Sequence, residues 1–413
     1  MMRSQKLRLK LTKEQESLAW WYSKVSRNYW NLLVDIDKRN NKGEFDDILS
    51  RNGNKTYHSK FYDRDIYSLS QSDYLNLAKI VVAKDYEEDS ETWSWFYQPN
   101  QSFIYTFIAR ELLKIKKQNK GKLNFRGIDN IQPSFSIRCD ISANKKRLSR
   151  IYLKDNGKLQ IPTLGDVRFG STRKDFDLSC KKQVANISFD GKYWYLSYTE
   201  DIEVQVTDLS DYTDGIGVDL GIKTLATASD GTKVPNIKTF RRVRILNKRL
   251  KRLQRKVSRK YLINKCNKRN KTKNIIKLER QIKLIHRSLR NIRINHIRKF
   301  VSELVKKQPQ YIAIEDLNVK GMMKNKHLAK DIINCSFYTI REYLIRKATE
   351  RQIAVRLVDR FYPSSKTCSN CGSYKKDLKL NQRVYRCNNC KEKVDRDFNA
   401  SINIARTDRY VLA

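Results

Sequence analysis

The chain has 413 residues, enough for two or three domains that each bury a core. It carries 86 Lys and Arg against 44 Asp and Glu, a formal net charge of +42. Such a surplus indicates a polyanionic partner, usually nucleic acid. No apolar run reaches the ~18 residues of a membrane-spanning helix, and no apolar stretch typical of a signal peptide follows Met1. We therefore expect a cytoplasmic or nucleoid-associated protein without a membrane partner.

The first 120 residues predict one strand followed mainly by helices. Residues 1–12 alternate leucine with basic residues, which predicts a strand. Thr12, followed three residues later by Gln15, predicts a capping box at the start of a long helix. The segment 38–100 is mixed and polar, and we interpret it as helices and loops. The stretch SFIYTFIARELLKIKK then predicts another helix.

Residues 130–206 change to short alternating apolar runs. Turn signals at Asp155-Asn156-Gly157 and Asp190-Gly191 separate some of these runs. This pattern predicts a small β-barrel, which the first strand joins.

The segment 238–305 predicts an antiparallel hairpin of two long basic helices. Apolar residues recur at heptad-like spacing in both helices, namely Val243, Leu246, Leu250, Leu253 and Val257, then Ile275, Leu278, Ile282, Ile285, Leu289 and Ile292. The outward positions are mostly Lys and Arg, and Glu279 is almost alone among acids. A solvated helix face is the plain alternative, but so many like charges would repel without an anion nearby.

The remaining segments alternate strands with helices, which predicts an α/β domain. The strand candidates are GIGVDL, YIAIE and QIAVRLVD, with a hairpin turn at Asp230-Gly231 after the first. A helix is expected over roughly 333–352, and DFNASINIART is expected to close the chain as a helix.

Two CxxC pairs predict a structural zinc site. Cys368 and Cys371 are separated from Cys387 and Cys390 by the fifteen residues 372–386, a spacing in the range of zinc ribbons. Four thiolates suit tetrahedral Zn²⁺ and leave no open coordination position. The other cysteines are scattered, as expected for unpaired thiols in a reducing compartment, namely Cys139, Cys180, Cys266 and Cys335.

Three acids stand out by their surroundings: Asp219 within an apolar strand, Glu315 at the end of another, and Asp397 at the start of the last helix. A carboxylate in or beside a buried strand is costly unless it is paired or binds a metal. Asp219 and Glu315 could instead pair with Lys or Arg, and Asp397 could be a helix N-cap. Together the three fit a nuclease that holds two Mg²⁺ ions. His296 is a conceivable acid or base, but its place in the helical pattern favours packing or phosphate contact.

Four stretches, in this order, resemble the TnpB family, the OrfB proteins of bacterial and archaeal insertion sequences. They are GIGVDLGIKTLA, IAIEDLNVKGMMKN, FYPSSKTCSNCG and VDRDFNASINIA, with the basic hairpin between the first two. The resemblance implies an α/β RNase H-like (RuvC) nuclease domain whose catalytic, metal-binding acids are Asp219, Glu315 and Asp397, so Asp395 is a solvated or ion-paired neighbour. It also implies Mg²⁺ or Mn²⁺ as catalytic ions, a bound guide RNA, and target DNA in double- and single-stranded form.

The same resemblance implies the domain division. Residues 1–12 and 120–206 would form a wedge-type β-barrel, and 13–119 a helical recognition domain. The nuclease domain would comprise 207–365 and 393–413, with the basic hairpin at 238–305 inserted, and 366–392 would be the zinc ribbon.

Three functions compete. The first is a transposon-encoded RNA-guided DNA endonuclease, and the second is a compact type V CRISPR effector with the same chemistry. The third is an RNA-guided repressor that binds without cutting, for which a missing acid is expected, whereas all three acids are present. The sequence leaves open the motif read beside the target, the cut positions and the oligomeric state.

Overall fold

The computed structural model describes residues 2–59, 64–87, 90–96, 102–119, 122–127, 133–138, 151–170, 184–201, 215–266, 271–379 and 382–413. The chain divides into two compact units, residues 1–202 and 203–413. The polar segment 207–214, Cys139 and Cys180 lie outside the described residues. Within the described part, no helix has both the length and the apolar character needed to cross a bilayer.

The first unit contains a seven-stranded antiparallel sheet in the order β4-β8-β9-β1-β7-β6-β5. A separate two-stranded hairpin joins β2 and β3. The strands are β1 Met2–Lys10, β2 Thr56–Ser59, β3 Arg64–Tyr67, β4 Ser134–Arg138, β5 Tyr152–Leu153, β6 Leu159–Ile161, β7 Gly165–Gly170, β8 Val184–Phe189 and β9 Trp194–Asp201.

Strand β7 changes partners along its length. Its first half pairs with β6 and its second half with β1. Side chains from the strands on both sides of β7 share one core that includes Leu9, Ile137 and Val167. The expectation that the first strand joins this sheet is confirmed, and Gly157 and Gly191 adopt the positive φ that their predicted turns require.

The helices of the first unit pack around a second core. They are α1 Lys13–Lys42, α2 Asp46–Arg51, α3 Gln71–Asp85, α4 Glu91–Phe96 and α5 Ser102–Gln118. The predicted capping box is confirmed, because the Thr12 side chain accepts from the Gln15 amide and the Gln15 side chain accepts from the Thr12 amide. The prediction of only helices and loops over 38–100 is wrong where β2 and β3 form their hairpin.

The second unit is built on a six-stranded mixed sheet in the order β12-β11-β10-β13-β14-β17. Strands β10, β13 and β14 are parallel, and β11, β12 and β17 pair antiparallel with their neighbours. The strands of this sheet are β10 Gly215–Leu220, β11 Thr224–Ala228, β12 Lys233–Pro235, β13 Tyr311–Glu315, β14 Ala354–Val358 and β17 Tyr410–Leu412. A separate antiparallel pair is formed by β15 Val384–Arg386 and β16 Lys393–Asp395. The predicted α/β character of this half of the chain is confirmed.

Helices lie against this sheet, and two expectations about them are corrected. The helices are α6 Arg241–Cys266, α7 Lys273–Lys306, α8 Val319–Met322, α9 Ala329–Cys335, α10 Phe337–Thr349 and α11 Arg396–Arg406, with a 3₁₀ turn at Ile237–Thr239. The helix expected over 333–352 is two helices, because Ser336 between α9 and α10 has a left-handed backbone. The chain also continues past α11 into β17, an edge strand that the sequence did not predict.

The basic hairpin is confirmed as α6 and α7. Its predicted stripes meet in a narrow core centred on Leu250, Leu253 and Ile285. The C-terminal part of α7 instead contributes Phe300 and Leu304 to the core beneath the sheet. One continuous helix therefore belongs both to the hairpin and to the α/β core. Glu279, the rare acid, pairs with Lys271 Nζ at 2.6 Å.

Candidate active site and zinc module

Asp219 and Glu315 lie at the same end of two neighbouring strands. Parallel β10 and β13 pair Val218 with Ile314, so the two acids occupy the next position on each strand. Because parallel neighbours in register present their side chains to the same face, the two carboxylates project to one side of the sheet. Both side chains are half-buried.

Helix α11 lies directly on β10, and a glycine permits this contact. A Cβ built on Gly217 would lie 2.0 Å from the backbone oxygen of Ser401 and 2.5 Å from the backbone nitrogen of Ala405. Any residue with a side chain at position 217 would therefore push α11 away from β10. Its close approach brings the first turn, which carries Asp397, toward Asp219.

The surroundings of Asp219 show that the three acids face one another. The pKa of Asp219 is raised well above its usual range, first by burial and then by the negative charges of Glu315 and Asp397. Arg396 opposes this effect in part. Burial also raises the pKa of Glu315, against a hydrogen bond that Ser364 Oγ donates to its Oε1 at 2.8 Å.

The structure bears on the alternative explanations for the acids. Among the described residues, neither Asp219 nor Glu315 forms an ion pair, although the charge of Arg396 acts on Asp219. Asp397 is not the N-cap of α11, because Asp395 Oδ1 accepts from the Asp397 and Phe398 amides at 3.0 and 3.1 Å.

Asp395 also pairs with Lys233 Nζ at 3.1 Å, which confirms it as an ion-paired neighbour. Among the described residues, the Asp397 carboxylate has only longer ionic contacts, to Arg383 Nη1 at 3.5 Å and Arg396 Nε at 3.7 Å.

His296 binds the Pro235 carbonyl oxygen at 2.9 Å and packs edge-on against Phe240, so it has a packing role.

The four clustered cysteines converge on one point. Their sulfur atoms all lie within 4.8 Å of one another, with Cys371 to Cys387 at 3.5 Å and Cys368 to Cys390 at 3.7 Å. Tetrahedral Zn²⁺ with Zn–S bonds of about 2.3 Å requires S···S separations of about 3.8 Å. The cluster therefore fits structural zinc, as predicted. Cys266 and Cys335 are free thiols, also as expected.

Backbone amides help to prepare two of these thiols for a metal, whereas burial raises the pKa of Cys368 to about 11. A hydrogen bond from the Ser373 amide lowers the pKa of Cys371. Burial alone would raise the pKa of Cys387, but the Cys390 and Asn389 amides outweigh it and lower the pKa to about 6. Thiolates bind zinc, so both effects favour coordination at neutral pH.

Buried asparagines join the zinc module to α11, a link that the sequence reasoning missed. Asn399 Nδ2 and Asn403 Nδ2 each donate to the Thr367 carbonyl oxygen at 2.7 Å, and Asn399 Oδ1 accepts from the Ser369 amide at 2.9 Å. The sequence feature that could have revealed this link is a pair of asparagines in DFNASINIA. They are four residues apart and therefore share one helix face. The helix that carries Asp397 is thus anchored by the loop that carries Cys368.

Two known families match successive parts of the second unit. Residues 199–326 match the family described as "Probable transposase" (OrfB of IS605). Residues 337–404 match the family described as "Cas12f1-like, TNB domain". The first match includes Asp219 and Glu315, and the second includes the four cysteines and Asp397.

Curated relatives match a part of the chain. "Putative RNA-guided DNA endonuclease" from Streptomyces pristinaespiralis is 34% identical over 211 residues, 51% of this chain and 49% of that protein. "Putative RNA-guided DNA endonuclease InsQ" from Escherichia coli is 30% identical over 275 residues, 63% of this chain and 64% of that protein. "CRISPR-associated endodeoxyribonuclease Cas12f1" from Sulfoacidibacillus thermotolerans is 27% identical over 251 residues, 57% and 56% of the two chains.

The chain thus spans about half to two thirds of the length of these relatives. The resemblance read from the four motifs is confirmed: residues 199–326 are similar to the OrfB transposase family, and residues 337–404 are similar to the Cas12f1-like TNB domain.

Proposed function

We propose that this chain is a transposon-encoded, RNA-guided DNA endonuclease that hydrolyses phosphodiester bonds in a RuvC-like site. The observation that carries the proposal is the convergence of Asp219, Glu315 and Asp397 from distant parts of the sequence: Asp219 and Glu315 lie at matching positions on parallel β10 and β13, and the charges of Glu315 and Asp397 both raise the pKa of Asp219. The names of the curated relatives support the same activity.

The three acids fit divalent cations such as Mg²⁺ or Mn²⁺. Two of them lack a cationic partner among the described residues, so a metal ion would relieve their repulsion. Carboxylates from three separate elements suit a pair of such ions, because Mg²⁺ prefers oxygen ligands and the substrate phosphate supplies others. Such ions supply activation of water and neutralisation of charge at the attacked phosphate.

The protein residues hold the acids in position for this chemistry. Ser364 fixes one oxygen of Glu315, and Asp395 fixes the first turn of α11 beneath Asp397. In the proposed division, 207–365 and 393–413 form the RuvC-like domain, and 366–392 forms the zinc ribbon that anchors α11. Residues 1–12 with 120–206 form the wedge-type barrel, and 13–119 form the recognition domain.

The basic hairpin supports a nucleic-acid partner. A cleft of about 400 Å³ on α6 is lined by Arg249, Arg252, Arg255, Lys256 and Arg259, together with Leu253 and Gln281. Cationic side chains this close together repel, and a phosphate backbone would neutralise them. We assign this face to the guide RNA or to the RNA–DNA duplex that it forms.

Cleavage of matching duplex DNA by the purified protein with its own RNA tests the proposal. We expect cutting only with Mg²⁺ or Mn²⁺, and its loss in Asp219→Asn, Glu315→Gln and Asp397→Asn, with RNA binding retained. Asp395→Asn is the matched control, because asparagine also caps helices and the change lies two residues from Asp397. Normal cutting by Asp397→Asn would remove the assignment of the third acid.

The relative named Cas12f1 keeps the CRISPR effector as a second candidate. The same chemistry would operate, so only the RNA distinguishes the two. Sequencing the RNA that co-purifies from the native locus decides between them, since a transposon-end RNA supports the first and a repeat–spacer RNA the second. Tight RNA-dependent binding of DNA without cutting would instead indicate the repressor.

A further inference from the structure

A cleft of about 320 Å³ is lined in part by Glu315, one of the three acids, and by Leu220, the residue after Asp219. Its wall includes Tyr338, Arg341 and Arg360. Tyr338 and Arg341 lie on the first turns of α10, whereas Arg360 follows β14. The proposed chemistry uses none of these three side chains.

One carboxylate holds both arginines in place. Arg341 Nη1 lies 2.5 Å from Asp316 Oδ1, and Arg360 Nη2 lies 2.6 Å from Asp316 Oδ2. Arg341 Nε has a longer contact to Glu342 Oε1 at 4.0 Å. With Lys320, the cations of the cleft lining outnumber its two acids, Glu315 and Asp316, which leaves a net positive charge on the wall. Each guanidinium has five N–H donors. Because one contact to Asp316 engages only part of each fork, donors remain for phosphate oxygens.

An aromatic ring lies beside this cationic pair. Tyr338 is 58% exposed, and its ring centroid is 5.6 Å from the Arg341 guanidinium carbon. Phe337, which precedes it, is buried in the core and fixes the start of α10. An exposed ring on a rigid helix offers a flat surface at little cost in conformational entropy.

We propose that Tyr338, Arg341 and Arg360 hold the single DNA strand that is cut at the three acids. A base stacks on Tyr338, and flanking phosphates bind Arg341 and Arg360. Stacking on a side chain requires a base that has left its own duplex, and arginines flanked by an aromatic ring match such an unpaired strand. This inference rests on the proposed nuclease function and names the positioning residues of its substrate.

Base removal tests the contact with Tyr338 directly. A series of target DNAs is prepared, each with one abasic nucleotide at a different position flanking the cut. The rate of single-turnover cutting by the protein–RNA complex is then measured for each DNA. In the wild-type complex, one position should slow cutting about tenfold, the effect of losing one stacked base. Tyr338→Ala should be about tenfold slow on intact DNA and insensitive to the abasic nucleotide at that same position.

Two further variants separate a stacking role from a structural one. Tyr338→Phe keeps the ring and should retain both the rate and the abasic profile. Tyr374→Ala is the matched control, because Tyr374 is 56% exposed and has Lys366 Nζ 5.9 Å from its ring but does not line the cleft. It should behave as wild type. The same abasic profile in wild type and Tyr338→Ala would overturn the proposal.

A second measurement separates this proposal from the nuclease function. Binding of a 2-aminopurine-labelled single-stranded oligonucleotide is followed in EDTA, where stacking on Tyr338 should quench the fluorescence. Quenching that is lost in Tyr338→Ala supports the contact even if the wild-type complex cuts no DNA. Equal quenching in the two proteins refutes the contact even if cutting is normal.

Discussion

The carboxylate of Asp219 lies on a half-buried strand among other negative charges. Burial and the charges of Glu315 and Asp397 raise its pKa, so near pH 7 its ionised form costs folding free energy. This cost in folding free energy begins as the pH rises through about 3.9, the pKa of an aspartate in an unfolded chain. Sites that bind metal often carry such strain, because function needs charges that the empty fold does not favour.

We therefore expect Asp219→Asn to be more stable than wild type in EDTA at neutral pH, by about 3 °C in the melting temperature of this unit. Calorimetry with and without Mg²⁺ measures the difference. Mg²⁺ should raise the melting temperature of wild type more than that of the variant. A variant that melts lower than wild type in EDTA would contradict the electrostatic explanation.

Asp230, in the turn between β11 and β12, shows the opposite behaviour. Burial alone would raise its pKa, but hydrogen bonds from Lys307 Nζ and the Thr232 amide lower it. The ionised Asp230 carboxylate stabilises the fold fully when the pH is above the pKa that Asp230 has in the unfolded chain. This stabilisation is lost as the pH falls through the lower pKa of the folded state.

Asp230→Asn should lower the melting temperature by about 1–2 °C at pH 7, since a partly exposed pair contributes about 1 kcal/mol or less. The difference from wild type should shrink below pH 4 and vanish once Asp230 is protonated. Thermal melts across pH 2–7 provide the measurement, and a difference that does not change with pH would exclude the ionised carboxylate as its source.

At the level of elements, the seating of α11 on β10 decides whether Asp397 reaches the other acids. Gly217→Ala places a methyl group 2.0 Å from the Ser401 carbonyl oxygen, so the helix must move. We expect a destabilisation of about 3 kcal/mol or more and loss of cutting. Gly170→Ala is the control, because a Cβ there meets nothing closer than 3.9 Å. Full activity of Gly217→Ala would mean that α11 can carry Asp397 from a greater distance.

The zinc module contributes to the same seating. Asn399 and Asn403 attach α11 to the loop that carries the first cysteine pair. Cys387→Ser should lose the bound zinc, measured by elemental analysis, and increase hydrogen exchange in α11. Cutting should become slower although none of the three acids has changed. Unaltered exchange in α11 after zinc loss would show that the asparagines alone hold the helix.

The sequence predicted the strands of the parallel core, the basic hairpin and the cysteine cluster, because periodicity and spacing record these features. The three acids were singled out by their apolar surroundings and by the resemblance to the TnpB family, and their role stays a prediction. It did not predict β17, since three residues are too short to show a period. The break at Ser336 is likewise set by tertiary packing. The roles of Gly217 and Asn403 depend on which element lies opposite, which no local pattern encodes.

At the scale of the whole molecule, the net charge of +42 governs affinity for nucleic acid. Each phosphate that is neutralised releases a counterion, so affinity should fall steeply with salt. We expect RNA binding to weaken about 10³-fold or more between 50 and 200 mM salt, as for six or more contacts. Replacing Arg249, Arg252 and Arg255 with Gln should reduce the slope of log affinity against log salt by about 2–3, measured by filter binding. An unchanged slope would place the RNA elsewhere.

Helix α7 runs without interruption from the tip of the hairpin to the core beneath the sheet, 34 residues in all. At 1.5 Å per residue it is a rod about 50 Å long. A straight rod acts as a lever, so any tilt that a ligand imposes at its outer end rotates the inner end by the same angle. Because α7 is one continuous helix, such a rotation would reach Phe300 and Leu304, which pack in the core beneath the sheet. We therefore expect a ligand that binds the basic face of the hairpin to shift the strand ends that carry Asp219 and Glu315.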